Sequence, residues 1–259
     1  MRFNAPGLQP LFVACATAGL LGSAPALADV VSDSPNGFAL RSDKSISLGG
    51  ANKVFGSVGA AGDLQIGWNS FVDGAIEKGD DRSWESPRFD DWSSGGEKIK
   101  LGWAKSIDLR AGSYGSLKAE SSTTIGLTAG SYAFDSFSIG WDSTVVADTS
   151  QGDVYVLVSG DLTAGDQSRF KASGEGTLYH IARGDASFGD RSDIYAAVYS
   201  SGRLSFGGEV NLTGLAYSAG DLSTGYGSNF AYFVPGPASI ALIPFAAAVV
   251  RGGGRRRRR

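Results

Sequence analysis

The stretch from Ser70 to Gly96 combines carboxylates with aromatic side chains and is the part of this sequence best suited to hold a ligand. Clustered carboxylate oxygens suit a hard cation such as Ca²⁺, and exposed aromatic rings beside them suit the apolar face of a sugar. The alternative is a solvated acidic loop whose aromatic side chains pack onto the sheet. The predicted ligand loop consists of Asp80, Asp81, Trp84, Glu85, Asp90, Asp91 and Trp92, and the predicted calcium ligands are Asp80, Asp81, Asp90 and Asp91.

Catalytic chemistry has few residues to work with. A carboxylate pair from the ligand loop could do the acid–base work of a glycoside hydrolase or lyase. His180 is the only histidine in the chain, so a serine-hydrolase triad would have to use it, and no G-x-S-x-G segment is present. We predict a non-enzymatic protein with no catalytic residue and no cofactor other than calcium, in which His180 is a hydrogen-bonded strand residue.

Three tryptophans end segments of one form, apolar-polar-aliphatic-Gly-Trp: Leu64 to Trp68, Ile99 to Trp103 and Phe137 to Trp141. Strict alternation places each tryptophan on the apolar side of a strand, with glycine on the other side. The favoured interpretation is therefore three core tryptophans packed over a sheet. The alternative is an aromatic row that faces a sugar.

The elements that must position these residues are predicted to be strands. Apolar and polar residues alternate through Leu204, Phe206, Val210 and Leu212, and Val154 to Val158 is an apolar run typical of a buried central strand. Repeated Gly-Asp pairs supply turns, and no segment shows a convincing helical period. We predict an all-β fold, an antiparallel β-sandwich of the jelly-roll or lectin type. A barrel or a solenoid remains an alternative.

Charge and cysteine content exclude several classes of protein. The region from Asp29 to Asp221 holds all 26 acidic residues and 16 of the 23 basic ones, so its net charge is −10. An acidic body is a poor partner for nucleic acid, whose binding depends on neutralised phosphates. The only cysteine, Cys15, lies in the predicted leader, so disulfides, thiol catalysis and cysteine-ligated zinc are excluded from the mature protein.

The N-terminus has the three parts of a secretory signal peptide. Arg2 precedes the apolar run from Leu11 to Leu21, and Ala26 and Ala28 are the small residues that a signal peptidase reads. The apolar run is too short to span a bilayer, which needs about 20 apolar residues. We therefore predict export, with residues 1–28 as the leader and residues 29–232 as a β-rich secreted body.

The C-terminal region, residues 233–259, is predicted to be a membrane tail. The apolar run from Ala238 to Val250 would cover about 20 Å as a helix, less than the hydrocarbon core of about 30 Å. The basic residues after it should stay on the cytoplasmic side as a stop-transfer signal. These residues are Arg251, Arg255, Arg256, Arg257, Arg258 and Arg259.

The same tail resembles a PEP-CTERM sorting signal in its motif Val234, Pro235, Gly236 and Pro237, its apolar run and its arginine-rich end. The family normally has glutamate at the position of Gly236. The resemblance implies recognition by an exosortase-type membrane enzyme in a Gram-negative bacterium, with an inner-membrane intermediate followed by the cell surface or extracellular matrix. It also implies an association with exopolysaccharide. A simple tail anchor is the alternative.

These observations together predict an exported cell-envelope or matrix protein that is non-enzymatic and binds exopolysaccharide. Two other functions remain open. One is a secreted glycoside hydrolase or lyase that uses the ligand loop. The other is a structural surface-layer or filament subunit that associates through exposed sheet edges.

Overall fold

The structure is a computed structural model that describes residues 37–79 and 92–233. These residues belong to one compact unit, which spans Ser34–Arg259. The predicted signal peptide with Ala26 and Ala28, the predicted sorting motif and stop-transfer arginines, and residues 80–91 of the ligand loop lie outside the described residues.

The described residues form 25 short strands and contain no α-helix. In chain order the strands are β1 (Phe38–Ser42), β2 (Ile46–Leu48), β3 (Lys53–Phe55), β4 (Ser57–Ala60), β5 (Leu64–Ile66), β6 (Phe71–Val72), β7 (Ile76–Lys78), β8 (Ile99–Leu101), β9 (Ser106–Asp108), β10 (Gly112–Ser113), β11 (Leu117–Ala119), β12 (Thr124–Thr128), β13 (Gly130–Phe134), β14 (Phe137–Ile139), β15 (Thr144–Asp148), β16 (Val154–Val158), β17 (Leu162–Ala164), β18 (Arg169–Ser173), β19 (Leu178–Ala182), β20 (Ala186–Phe188), β21 (Asp193–Ser200), β22 (Leu204–Phe206), β23 (Asn211–Ser218), β24 (Leu222–Thr224) and β25 (Asn229–Ala231).

Every strand pair is parallel, and the strands stack as the coils of a β-solenoid with three strand segments in each coil. The first face is the nine-stranded sheet β5-β2-β24-β22-β20-β17-β14-β11-β8. The second face runs from β6 to β9 and the third face from β7 to β10. These two faces belong to one sheet, because β21 pairs with β18 through its first residues and with β19 through its last.

The order of coils along the solenoid differs from the order along the chain. From β8 to β25 the coils stack in the order of the chain. The next strand segment of the stack is β1, which pairs with β23. One coil is therefore composite, built from β24, β25 and the N-terminal β1. Strands β2 to β7 continue the stack beyond it. The N-terminal strands thus cover what would otherwise be an open end of the C-terminal coils.

The core consists of inward rows in which equivalent residues of successive coils contact one another. A further line of rings crosses between two faces: Phe170 and Phe230 come from the second face and Phe188 and Phe206 from the first, with ring centroids 5.4 Å apart at each step. All four side chains are at most 4% exposed. Burial of one such side chain stabilises a fold by roughly 1.5–3 kcal/mol, so stacking provides most of the stabilisation of a chain without cysteine in its body.

The corner between the first and second faces repeats one backbone conformation. Eight non-glycine residues there have φ between 53° and 59°, the left-handed region that side chains normally avoid. A buried polar residue follows most of them and closes the turn. Ser168, for example, donates a 2.6 Å hydrogen bond from its Oγ to the carbonyl of Gly165. The eight residues are Ala51, Asn69, Ala104, Ser122, Asp142, Gln167, Arg191 and Glu209.

The predicted antiparallel β-sandwich is wrong, although the all-β class is confirmed. Alternation of apolar and polar residues is the same in parallel and antiparallel strands, so it could not decide the pairing. The Gly-Asp pairs within the described residues, which were expected to form tight turns, lie at solenoid corners, where the chain bends without reversing relative to the next coil. Unequal coil lengths hid the repeat, because 18 residues separate Leu204 from Leu222 and 24 separate Leu162 from Ala186.

Other expectations hold within the described residues. The run Val154–Val158 is strand β16, with only Tyr155 partly exposed. Leu204, Phe206, Val210 and Leu212 are all buried, as their alternation predicted. Across residues 37–79 and 92–233 the structure has no helix of the length and hydrophobicity needed to cross a membrane.

Candidate functional site

The outward side of the first face carries a column of hydroxyl groups. The middle residue of each three-residue strand points away from the core, and in-register pairing places these residues directly above one another. Parallel strands are about 4.8 Å apart, so hydroxyls recur at that interval along the face. We call this column the hydroxyl ladder; from one end it comprises Ser47, Ser223, Ser205, Ser187, Thr163 and Ser138.

A second column follows the corner beside the hydroxyl ladder. This column contains one residue from each coil. The backbone N–H of the residue that follows each member donates a hydrogen bond to the carbonyl of the neighbouring member, as from Ala51 (which follows Gly50) to Trp68 and from Ser122 (which follows Ser121) to Trp141. Through these backbone bonds the column runs Trp68, Gly50, Tyr226, Gly208, Asp190, Asp166, Trp141, Ser121 and Trp103. Its four aromatic members, Trp68, Tyr226, Trp141 and Trp103, form what we call the aromatic row.

The aromatic row is divided into two pairs, each with one small residue between its members. Trp68 lies over Gly50 and contacts Tyr226, with ring centroids 5.9 Å apart. A Cβ at Gly50 would lie 2.8 Å from the indole Nε1 of Trp68, so glycine is required for this arrangement. Ser121 separates Trp141 from Trp103 in the same way. The four side chains are 47–70% exposed, which leaves their rings available to a ligand.

The interpretation of three core tryptophans is therefore wrong. Trp68 is 70% exposed, Trp103 68% and Trp141 47%. Strict alternation does not extend to the tryptophan, because the strand ends at the preceding aliphatic residue and the corner turns the next side chains outward. The alternative interpretation, an aromatic row, describes what the structure shows.

Carboxylates flank the middle of the hydroxyl ladder on both sides. Asp161 accepts a 2.9 Å hydrogen bond from the N–H of Asp185, and Asp166 accepts a 3.0 Å bond from that of Asp190. Each aspartate thus uses one oxygen to join its coil to the next, and the side chains remain exposed. The other oxygens of these carboxylates can accept hydrogen bonds from a ligand.

Of the predicted ligand loop, only Trp92 lies among the described residues. The guanidinium of Arg183 lies over its ring at 4.4 Å from the centroid, and the buried indole Nε1 has no hydrogen-bond partner among the described residues. Trp92 is therefore packed against the solenoid rather than aligned with the aromatic row. Across residues 37–79 and 92–233 no group of three or more histidine, cysteine or carboxylate side chains could hold a metal ion, and the predicted calcium ligands lie outside those ranges.

His180 is a strand residue of β19, as expected, but the expected hydrogen bonds are absent from the described part of the chain. The side chain is fully buried, and neither Nδ1 nor Nε2 has a partner. The imidazole packs edge-on against Phe170, with centroids 4.8 Å apart. Burial lowers the pKa of His180 to about 3, so the ring is neutral in the folded protein at physiological pH.

A groove of about 340 Å³ on the second face is lined in part by Asp108, Gly126 and Asp148. Two carboxylates in a groove suggest glycosidase chemistry, in which one acid must be kept protonated by a raised pKa. Hydrogen bonds from Ser150 lower the pKa of Asp148 instead. Asp148 is therefore unsuited to act as the general acid.

Sequence reasoning missed several residues of this site. Tyr226 occupies the same corner position as the tryptophans but follows Leu222-Ser-Thr-Gly, so it does not fit the Gly-Trp pattern. The hydroxyl ladder is not visible in the sequence because its members are single serines or threonines, 18 to 25 residues apart from Ser138 to Ser223 and 176 residues apart where Ser47 pairs with Ser223. Alignment of the short apolar-polar-apolar segments that precede glycine would have revealed both columns.

Three solved structures similar to this chain are ice-binding proteins. One is from an Antarctic biological consortium, with 18% identity, 76% of this chain and 88% of that chain covered, and a TM-score of 0.44. A second is from the Antarctic ascomycete Antarctomyces psychrotrophicus, with 15% identity, 77% of this chain and 96% of that chain covered, and a TM-score of 0.45. The third is from an Arctic yeast, with 14% identity, 81% of this chain and 95% of that chain covered, and a TM-score of 0.45. No ligand of this chain follows from similarity this low. No curated protein matches the chain.

A family profile described as a domain of unknown function, DUF7305, matches residues 88–238. The match covers more than half of the 259 residues and includes β8 to β25, the coils that carry most of the hydroxyl ladder and three of the four members of the aromatic row. The chain belongs to the DUF7305 family.

Proposed function

We propose that this chain is an exported, non-enzymatic binding protein whose first face binds polysaccharide. The observation that carries the proposal is the aromatic row: four exposed rings on one corner, directly beside the hydroxyl ladder. Exposed aromatic side chains of this size are costly to leave in water unless they contact a partner. The aspartates and hydroxyls beside them supply the hydrogen bonds that a sugar requires.

The geometry suits an extended polymer better than a small molecule. Successive coils rise by about 4.8 Å, close to the length of one sugar ring in an extended chain, so successive units could contact successive coils. Backbone hydrogen bonds hold both columns in register. The site is therefore preorganised, and binding requires little ordering of the protein.

The test is binding of the purified protein to a panel of immobilised polysaccharides. We expect retention by at least one glycan, and loss of that retention in Trp68→Ala/Tyr226→Ala with the melting temperature unchanged. Phe55→Ala/Phe71→Ala is the matched control, because these rings are 47% and 53% exposed but lie on the second face. Equal loss in both double variants would show non-specific adhesion through exposed rings.

Two results would replace this proposal with another function. Release of reducing sugars from a bound glycan would favour the hydrolase. A regular row of hydroxyls can also order water; depression of the freezing point without any glycan binding, abolished by Ser205→Trp, would assign the hydroxyl ladder to ice.

Export and sorting are also part of this proposal and rest on the two ends of the chain. The expected mature protein begins at Asp29 and, where an exosortase-type enzyme is present, lacks the residues after about Val234. Intact-mass measurement of envelope protein tests both cleavages. A mass that includes Arg255 to Arg259 would leave the simple tail anchor as the explanation of the tail.

A further inference from the structure

One end of the first face differs in charge from the rest. In β8 and β11 the outward position that carries a hydroxyl in the six coils of the ladder is lysine, and pairing places Lys100 directly opposite Lys118. Lys98 lies two residues before Lys100 and also points outward. All three side chains are exposed. We call Lys98, Lys100 and Lys118 the lysine cluster.

The lysine cluster is electrostatically unfavourable in the free protein. Like charges directly opposite each other on neighbouring strands destabilise a sheet. None of the three ammonium groups forms an ion pair with a carboxylate of the described residues. Uncharged polar residues at the same positions would avoid this repulsion between ammonium groups. A bound anion would relieve it.

The pair of the aromatic row formed by Trp141 and Trp103 lies beside the lysine cluster, and we call it the lower aromatic pair. Trp103 belongs to the same coil as Lys100, and Trp141 lies two coils further along the aromatic row. Glu120 follows β11 at the position where the other eight strands of the first face are followed by glycine, and its Oε2 accepts a 2.9 Å hydrogen bond from the N–H of Trp103. That bond fixes the carboxylate at the corner, on the aromatic side of the site.

We propose that the lysine cluster and the lower aromatic pair form a subsite for negatively charged sugar units of a polysaccharide. The aromatic rings pack against the sugar ring, and the ammonium groups bind its carboxylate, sulfate or phosphate. This inference rests on the proposed function and names the class of ligand. The middle of the ladder, flanked by Asp161, Asp166, Asp185 and Asp190, suits neutral units instead.

The experiment compares binding of polygalacturonate with binding of its methyl-esterified form, which has the same backbone without the charge. We expect the charged polymer to bind more tightly and its affinity to fall as salt increases. Lys100→Gln/Lys118→Gln should lose about tenfold in affinity at low salt, because two exposed ion pairs with the ligand are removed. Its melting temperature should be equal to or higher than that of the parent.

Lys171→Gln is the matched control, because Lys171 is an exposed lysine on the second face. This variant should bind polygalacturonate as tightly as the parent. Dextran sulfate identifies the anion: tighter binding than polygalacturonate would favour sulfate over carboxylate within the same subsite. Polyglutamate tests for the sugar. Binding as tight as that of polygalacturonate, together with no effect of Trp103→Ala, would reduce the site to a general polyanion surface and overturn the proposal.

The outcomes separate this inference from the proposed function. If neutral glycans bind through Trp68 and Tyr226 while Lys100→Gln/Lys118→Gln binds every charged polymer like the parent, the anionic subsite is wrong and the proposed function stands. If no polysaccharide of either kind binds, both are wrong.

Discussion

The first and third faces use the same alternation of side chains for opposite purposes. On the third face, several apolar residues that point away from the core are nevertheless buried: Leu157 and Ile181 are 4% exposed and Tyr199 is 5% exposed. Tyr155 and Tyr179 stack there at 4.9 Å, and burial raises the pKa of Tyr179 to about 12. On the first face the corresponding positions carry hydroxyls, lysines and exposed aromatic rings.

The difference shows that an outward position is not by itself a solvent position. Part of the chain lies against the third-face edge, where Ser94 Oγ is 2.5 Å from Ser159 Oγ and Trp92 packs under Arg183. The first face has no such cover among the described residues. Substitutions on the third face should therefore change stability, and substitutions on the outer side of the first face should change binding.

The largest effect is expected from acid acting on His180, which points inward from the third face. Its folded pKa of about 3 lies below the ordinary value of 6.5, so the unfolded chain binds a proton more readily between these values. The contribution of neutral His180 to the free energy of unfolding is therefore fully present above pH 6.5. It is lost as the pH falls towards 3, which lowers the free energy of unfolding by up to about 5 kcal/mol. In denaturant titrations His180→Leu should lose this component; an unchanged pH dependence would contradict the assignment.

A smaller loss is expected from Ile181→Ala on the outer side of the same strand. Removal of a buried Ile side chain costs about 2–5 kcal/mol, because a cavity remains. Val146→Ala on the second face is the control, since that side chain is 37% exposed and should cost much less. Equal destabilisation by the two changes, measured by thermal melting, would mean that the third face is not covered in solution.

On the first face, Trp103→Ala should change the free energy of unfolding by no more than about 0.5 kcal/mol, because exposed side chains contribute little to stability. Its effect should appear as weakened retention by acidic polysaccharide in affinity electrophoresis. A loss of several kcal/mol would show that the indole is buried after all and would restore the core interpretation.

The smallest effect is expected from Ser187→Ala in the hydroxyl ladder. One half-buried hydroxyl among six should alter stability by less than about 0.5 kcal/mol and glycan affinity only about twofold. Isothermal titration would detect the change in affinity. Replacing Ser187, Ser205 and Ser223 together should multiply the effect; a triple variant that binds like the parent would remove the ladder from the site.

Much of the local structure was predictable from the sequence. Short runs such as Leu204 to Phe206 were identified as strands, and their inward residues were assigned to the core correctly. The direction of pairing was not predictable from these runs, because in-register parallel stacking depends on contacts between residues 18 to 25 positions apart, and 176 apart where β1 pairs with β23. The lysines at positions 100 and 118 look unrelated until stacking makes them neighbours.

By itself, the sequence determined that the body is all-β, lacks cysteine and is rich in the glycine and aspartate that corners require. These are properties of residue type and local spacing. Only the tertiary structure decided that the strands coil in one direction, that β1 completes a coil of the C-terminal strands, and that Trp68, Tyr226, Trp141 and Trp103 share one row. Each of these depends on which residues become neighbours across coils, since stacking brings distant positions to within about 5 Å of each other.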